Sequence, residues 1–369
     1  MNFNALSSTL FAVVLLFGNQ LFSQVSNSIN ITPKLAINAY LETYYGFDFA
    51  QPSNDERPSF LYNFTDHNQI NINSAIGGID YKRNRFKGNL LFMGGTYVKQ
   101  NSAHEPSIFK HIYEATLGFK ILKKHDLWFE FGIMESNLGF ENVRSRECLT
   151  LTRSLLAESS PYYLNAAKLG FTTSNKKWEM ELLFSNGWQQ MIHGYPSFGH
   201  TLIYTPNEKW KFNSSSFIGR VDLEGAVPAL SRVENRFFHN FYAKYSKEKS
   251  NIIAGIDFGV DQLVKDPNDI GSWLGAIAVY QYDFNKRWNA AARVEYFLDP
   301  NNSVAITEEN DGFENVGASL NIDYQPGRAF LLRLEGRLLS GADPYYSYNN
   351  QKSKKNFSIV SALIISLWK

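Results

Sequence analysis

Long stretches of strict alternation constrain this chain more than any other feature. Over 35–49 one parity reads Leu35, Ile37, Ala39, Leu41, Thr43, Tyr45, Phe47 and Phe49, while the other carries Asn38, Glu42 and Asp48. The pattern returns with Trp178, Met180, Leu182 and Phe184 against Glu179 and Glu181, and with Ile252, Ala254, Ile256, Phe258 and Val260 against Asn251 and Asp257. It returns again with Ala290, Ala292, Val294, Tyr296 and Leu298 against Asn289, Arg293 and Glu295, and with Phe330, Leu332 and Leu334 against Arg333, Glu335 and Arg337. Successive side chains of a strand point to opposite faces, so each segment has one apolar face and one face with charges at mid-strand. Strands of soluble sheets run about 5–6 residues, whereas a strand crossing a bilayer needs about 9–11. These segments predict an all-β fold: a transmembrane antiparallel up-and-down β-barrel of about 16 strands, to within about two.

The connections alternate as such a barrel requires, with short turns at one rim and longer loops at the other. Short polar turns fall at 82–84, 174–177, 206–209, 246–249, 285–287 and 325–328. Between them lie long loops at 50–67, 138–161, 221–233, 261–272, 299–313 and 340–355. All seven tryptophans sit near strand ends: Trp128, Trp178, Trp210, Trp288 and Trp368 toward the turns, Trp188 and Trp273 toward the loops. Indole is apolar with one N–H to satisfy, so this placement predicts interfacial girdles, although Trp128 and Trp273 fall on the inward parity. The last segment, 357–368, is apolar and reaches the chain end, as a closing strand must. Its terminal Trp368, followed by Lys369, resembles the signal read by the outer-membrane assembly machinery.

A net charge of +1 and 19% charged residues give no reason to expect a nucleic-acid partner. Cys148 is the only cysteine, which excludes an internal disulfide and a cysteine-based zinc site. The apolar run Leu10-Phe11-Ala12-Val13-Val14-Leu15-Leu16-Phe17 is too short to span as a helix and suits a signal peptide. Residues 1–23 are therefore expected to be removed, leaving one barrel over 24–369 that begins near Gln24.

The block Leu149-Thr150-Leu151-Thr152-Arg153-Ser154-Leu155-Leu156-Ala157-Glu158-Ser159-Ser160-Pro161-Tyr162-Tyr163 resembles the signature of the OmpL-like putative β-barrel porin family. Supporting blocks are Gly139-Phe140-Glu141, Ser185-Asn186-Gly187-Trp188-Gln189, Arg236-Phe237-Phe238-His239-Asn240-Phe241-Tyr242, Ala292-Arg293-Val294-Glu295-Tyr296-Phe297 and Leu332-Arg333-Leu334-Glu335-Gly336-Arg337. The resemblance implies a barrel of the Gram-negative outer membrane with no assigned catalytic residues and no established substrate.

Chemistry-bearing motifs are otherwise missing. The seven histidines include no His-Glu-x-x-His pair, and no Gly-x-Ser-x-Gly elbow occurs. The acidic run Glu308-Glu309-Asn310-Asp311-Gly312 lacks EF-hand spacing and reads as a solvated loop. The inward charges Glu42, Glu114, Glu130, Lys168, Asp257, Arg293, Glu295, Arg333 and Glu335 must face water or one another. They mix both signs, which suits a wet channel of weak ionic preference; the alternative is a salt-bridged network filling a closed barrel. Loop 138–161 is the longest connection and follows the fifth strand, where general porins carry an inward loop. Leu149, Leu151, Leu155 and Leu156 are too apolar for a free outer loop and need a surface. The loop is thus expected to enter the lumen, with Arg144, Arg146 and Arg153 facing Glu141, Glu147 and Glu158 or wall carboxylates; packing over the mouth or in an oligomer contact is the competing outcome. The expected function is a porin for passive diffusion of small hydrophilic solutes, with outer-membrane lipid around it, no cofactor and no metal. An outer-membrane phospholipase or protease, or an adhesin, is the alternative, and homo-oligomerisation is compatible with the pattern.

Overall fold

The computed structural model describes residues 30–32, 35–192, 194–221, 233–263, 269–305, 312–348 and 351–367. The signal-peptide expectation, the acidic run around Glu308 and Trp368 lie outside the described residues. A short strand β1 (Asn30–Thr32) pairs with the foot of the first wall strand, β2 (Leu35–Asp48). The wall continues through β3 (Ile70–Arg83), β4 (Phe86–Gly94), β5 (Ile112–Lys120), β6 (Asp126–Glu135), β7 (Tyr163–Thr172), β8 (Trp178–Ser185) and β9 (Ser197–Asn207). Then follow β10 (Trp210–Arg220), β11 (Val233–Lys247), β12 (Ser250–Leu263), β13 (Ile270–Asp283), β14 (Trp288–Asp299), β15 (Phe313–Gly327) and β16 (Phe330–Gly341). A small hairpin, β17 (Tyr346–Tyr348) and β18 (Gln351–Ser353), decorates the last loop before β19 (Lys355–Ser366) completes the wall.

Each wall strand pairs antiparallel with the next, and β19 pairs with β2, Ser358 opposite Asp48 and Ser366 opposite Tyr40. Leaving aside β1, the result is a closed 16-stranded barrel, so no sheet edge is left unpaired. Burial is inverted relative to a water-soluble protein. Along β12, Ile256, Phe258 and Val260 are exposed while Asp257 and Asp261 are buried. In β15, Leu320 is 71% exposed and its neighbour Asn321 only 1%. An apolar face of this extent is covered by lipid, and the polar face is turned inward because an unpaired charge cannot be held in hydrocarbon.

The predicted turns hold, the described residues of each predicted loop lie between wall strands, and the structure adds a turn at 121–125 and two more long connections, between β4 and β5 and between β8 and β9. Residues 96–101 form a short helix, Thr96–Asn101, in which Tyr97 and Val98 are buried. At the turn rim, tryptophan and tyrosine face each other across neighbouring strands on the outer surface. Trp178–Tyr204, Trp210–Tyr245 and Trp288–Tyr324 have ring centroids 4.2, 4.7 and 4.5 Å apart. This is a girdle at one interface. Trp188 and Trp273 do not belong to a second one. Both are buried inside the barrel against Phe238, because the loop end of the lumen is filled with protein that indole can pack on. Trp128 stays inward near the turn rim, its Nε1 donating to Asp126 at 2.9 Å.

Candidate functional site

Loop 138–161 lies inside the barrel. Its apolar residues find the surface they need: Leu155 and Leu156 pack in a cluster with Phe238, Trp273, Phe297 and Phe313 of the inner wall. The wall has a recess to receive them. A side chain at Gly275 would place its Cβ 2.8 Å from the Cγ and Cδ1 of Leu156, so only glycine leaves room. Leu155–Glu158 forms one helical turn, capped by the Ser154 hydroxyl, which accepts from the Ala157 N–H at 3.2 Å. Glu141 accepts from the Ser154 N–H at 2.8 Å and from its hydroxyl at 2.6 Å, which closes the loop on itself.

The polar side of the loop is held by the inward charges of β14–β16. Glu335 accepts from the Thr152 N–H (2.6 Å) and hydroxyl (2.8 Å), and Glu295 from the Leu155 N–H (2.7 Å). Arg293 donates to the Thr152 carbonyl (2.6 Å) and the Thr150 hydroxyl (3.0 Å), while Arg333 donates to the carbonyls of Ser145 (2.5 Å) and Thr150 (3.2 Å). The same side chains pair among themselves: Arg293–Glu335 at 2.9 Å, Arg337–Glu295 at 2.6 Å, Arg333–Asp323 at 2.7 Å. All are buried. Two charges brought out of water gain little net energy unless their remaining donors and acceptors are filled. Here the loop backbone fills them, so the network and the docked loop depend on each other.

The far side of the wall is more open. Lys87 on β4 reaches Glu130 on β6 at 2.8 Å by passing over β5, where Gly118 leaves the path clear. A Cβ there would meet Glu130 Cγ at 2.9 Å and Lys87 Cε at 3.2 Å. Lys168 on β7 continues the row, 3.7 Å from Glu130 and 3.2 Å from Glu181 on β8. Glu114 accepts from Asn89, and Asp257 from Asn240. Glu42 accepts from Ser145 of the loop and, at 3.1 Å, from Tyr40.

The loop arginines divide. Arg144 pairs with Glu147 (2.9 Å) and the wall residue Glu135 (3.3 Å), as expected of a cation facing carboxylates. Arg146 instead donates to the Arg328 carbonyl at 2.5 Å, and Arg153 to the carbonyls of Asn142 (2.5 Å), Val143 (2.6 Å) and Leu151 (2.9 Å). The expectation that all three face carboxylates is corrected: Arg153 is fully buried within the loop and ties its two limbs together. Loop 50–67 also turns inward and meets the end of the inserted loop. Glu158 accepts from the Tyr62 N–H at 3.0 Å and from Asn63 Nδ2 at 3.3 Å. Burial pushes the Glu158 carboxyl up to about 7, outweighing the Tyr62 N–H and the pull of Arg337 and Arg153.

A family model described as putative beta-barrel porin-2, OmpL-like, matches residues 34–367, the whole wall and its loops. The chain belongs to that family. No curated protein matches it. Among solved structures, the chain resembles the outer membrane channel DcaP of Acinetobacter baumannii, with a TM-score of 0.60 at 9% identity over 90% of this chain and 96% of that one. It also resembles the trimer form of OmpT from Vibrio cholerae (TM-score 0.57, 10% identity, 90% and 98% covered). The anion-selective porin from Comamonas acidovorans is similar too (0.58, 7%, 90% and 99%). At such identities the likeness is one of fold, that of an outer-membrane channel.

Of the inward charges read from sequence, the fold brings Glu42, Arg293, Glu295, Arg333 and Glu335 to the inserted loop. Glu130 and Lys168 stand in the separate row, and Glu114 and Asp257 accept from the wall asparagines Asn89 and Asn240. Sequence alone did not single out Asp323, Asn321, Glu135 or the Thr150 and Thr152 hydroxyls, which complete the anchoring. The strand residues among them do lie on the inward parity, which is the one signal that could have found them.

Proposed function

We propose that this protein is a porin of a Gram-negative outer membrane that passes small hydrophilic solutes by passive diffusion, with loop 138–161 as its constriction. The observation that carries this is the anchoring of that loop to buried wall charges, with Glu335 and Glu295 accepting from Thr152 and Leu155 inside a closed barrel. A loop held at membrane depth narrows whatever path solutes take. The charged row Lys87–Glu130–Lys168–Glu181 supplies a polar wall of both signs beside it. Membership in a porin family and a channel fold favour this over a lipid- or peptide-hydrolysing barrel or an adhesin. Insertion by the outer-membrane assembly machinery and association of copies are part of the proposal, the latter because OmpT was solved in a trimer form.

The test is single-channel conductance in planar bilayers. The intact protein should form ohmic channels, and removing 148–159 should raise the conductance while the barrel stays folded. Equal conductance of both forms would remove the constriction role. Hydrolysis of lipid or peptide without conductance would remove the porin role.

A further inference from the structure

A concave site at the loop rim is left unused by the anchoring network. Tyr62 from loop 50–67, Gln100 from the helix Thr96–Asn101, Glu158 and Ser159 at the end of the inserted loop, Trp188 from loop 186–196, and Arg236 of β11 converge there. We propose that this site binds an uncharged polyhydroxylated solute, of monosaccharide to disaccharide size, before it enters the barrel; the proposal deepens the porin reading and rests on it.

Free hydrogen-bonding groups come together here. The Tyr62 hydroxyl and the Gln100 carboxamide have no hydrogen-bond partner among the described residues, and Arg236 Nη1 is buried without one. Donors and acceptors left free beside the half-buried Tyr62 ring suit a sugar, which presents hydroxyls at its edge and C–H bonds on its faces, while Trp188, packed against Phe217, Phe238 and Arg236, lines the site from beneath and reports on it. Charge selects against ions. Asp261 takes Arg236 Nε at 2.7 Å and Nη2 at 2.9 Å, so the guanidinium keeps a donor to offer but little net charge. Glu158 lines the same site, so an incoming anion meets a carboxyl beside an arginine already paired with Asp261. Burial raises the Glu158 carboxyl to about 7, which weakens its hold on a cation.

Tryptophan fluorescence of the folded full-length protein in detergent, titrated with glucose, maltose, gluconate and arginine, tests this without requiring conduction. Maltose or glucose should give a saturable change that Trp188→Phe abolishes. Gln100→Ala, whose side chain bonds nothing, should weaken half-saturation about tenfold, the effect of one lost hydrogen bond of good geometry. Tyr62→Leu should do the same. No saturable change, tighter binding of gluconate or arginine, or titrations unmoved by Gln100→Ala would each overturn the site. Saturable sugar binding with no conductance would instead leave the site standing and remove the porin reading, while conductance without binding would do the reverse.

Discussion

A single carboxylate, Glu335, accepts both the backbone N–H and the hydroxyl of Thr152, at 2.6 and 2.8 Å. Its Oε1 also lies 2.9 Å from Arg293 Nη2. Glu335→Ala should therefore do two things at once: leave buried Arg293 with only its longer 3.5 Å carboxylate contact, to Glu295, and release the middle of the inserted loop. Removing one member of a buried pair costs about 3–5 kcal/mol. Limited proteolysis should cut within 148–159 in the variant and not in the parent. Equal protection in both would mean that the loop is held elsewhere.

Arg144 and Arg153 should behave differently when truncated. Arg144 faces Glu135 and Glu147 and is positioned to set charge beside the lumen, so Arg144→Ala should shift the reversal potential in a salt gradient toward cation selectivity. Arg153 bonds three carbonyls within the loop, and each hydrogen bond from a charged donor contributes about 1.5–3 kcal/mol. Arg153→Ala should loosen the loop and raise conductance with its noise. A pure selectivity change in Arg153→Ala would contradict the assignment.

The contact between loops 50–67 and 138–161 should depend on pH through Glu158. Its docked carboxyl titrates at about 7 against an ordinary 4.5, so docking favours the protonated form. Below about pH 4.5 the carboxyl is neutral whether docked or free, and docking is at its strongest. As pH rises toward 7 the free loop ionises first, and this contribution is lost. Amide exchange at the Tyr62 N–H should quicken over that window beyond the intrinsic base catalysis, and Glu158→Gln should flatten the excess. An excess that grows on acidification would reverse the sign and refute it.

Leu320 lies on the lipid face of β15, 71% exposed. Leu320→Lys should destabilise the barrel in bilayers by up to about 2–4 kcal/mol, depending on its depth. The urea dependence of folding into vesicles measures this. A neutral effect would place Leu320 in water or in an interface between copies.

The wall was legible because a strand that has lipid on one side and polar surroundings on the other writes its orientation into every second residue, as Ile256 and Asp257 do. The inside was less legible. A charge such as Arg293 sits on the inward parity whether it faces water or the backbone of Thr152, and alternation cannot distinguish them. The apolar residues of 149–156 did announce a buried loop, since Leu155 and Leu156 require a surface. What they could not name was that surface, because Gly275 and Trp273 lie more than a hundred residues away and become neighbours only when the barrel closes. The same gap misplaced Trp188 and Trp273 at an interface.

Closure of the ring between Asp48 and Ser358 also sets an order in time. The first wall strand is among the earliest made, yet one of its two partners is the last wall strand to be synthesised. Until then β2 carries a row of unpaired amides and carbonyls that lipid cannot accept. Such a chain cannot be completed piecemeal as it is translated; the closing strand holds a veto over the rest, and loss of that one strand would leave an open ribbon in place of a ring.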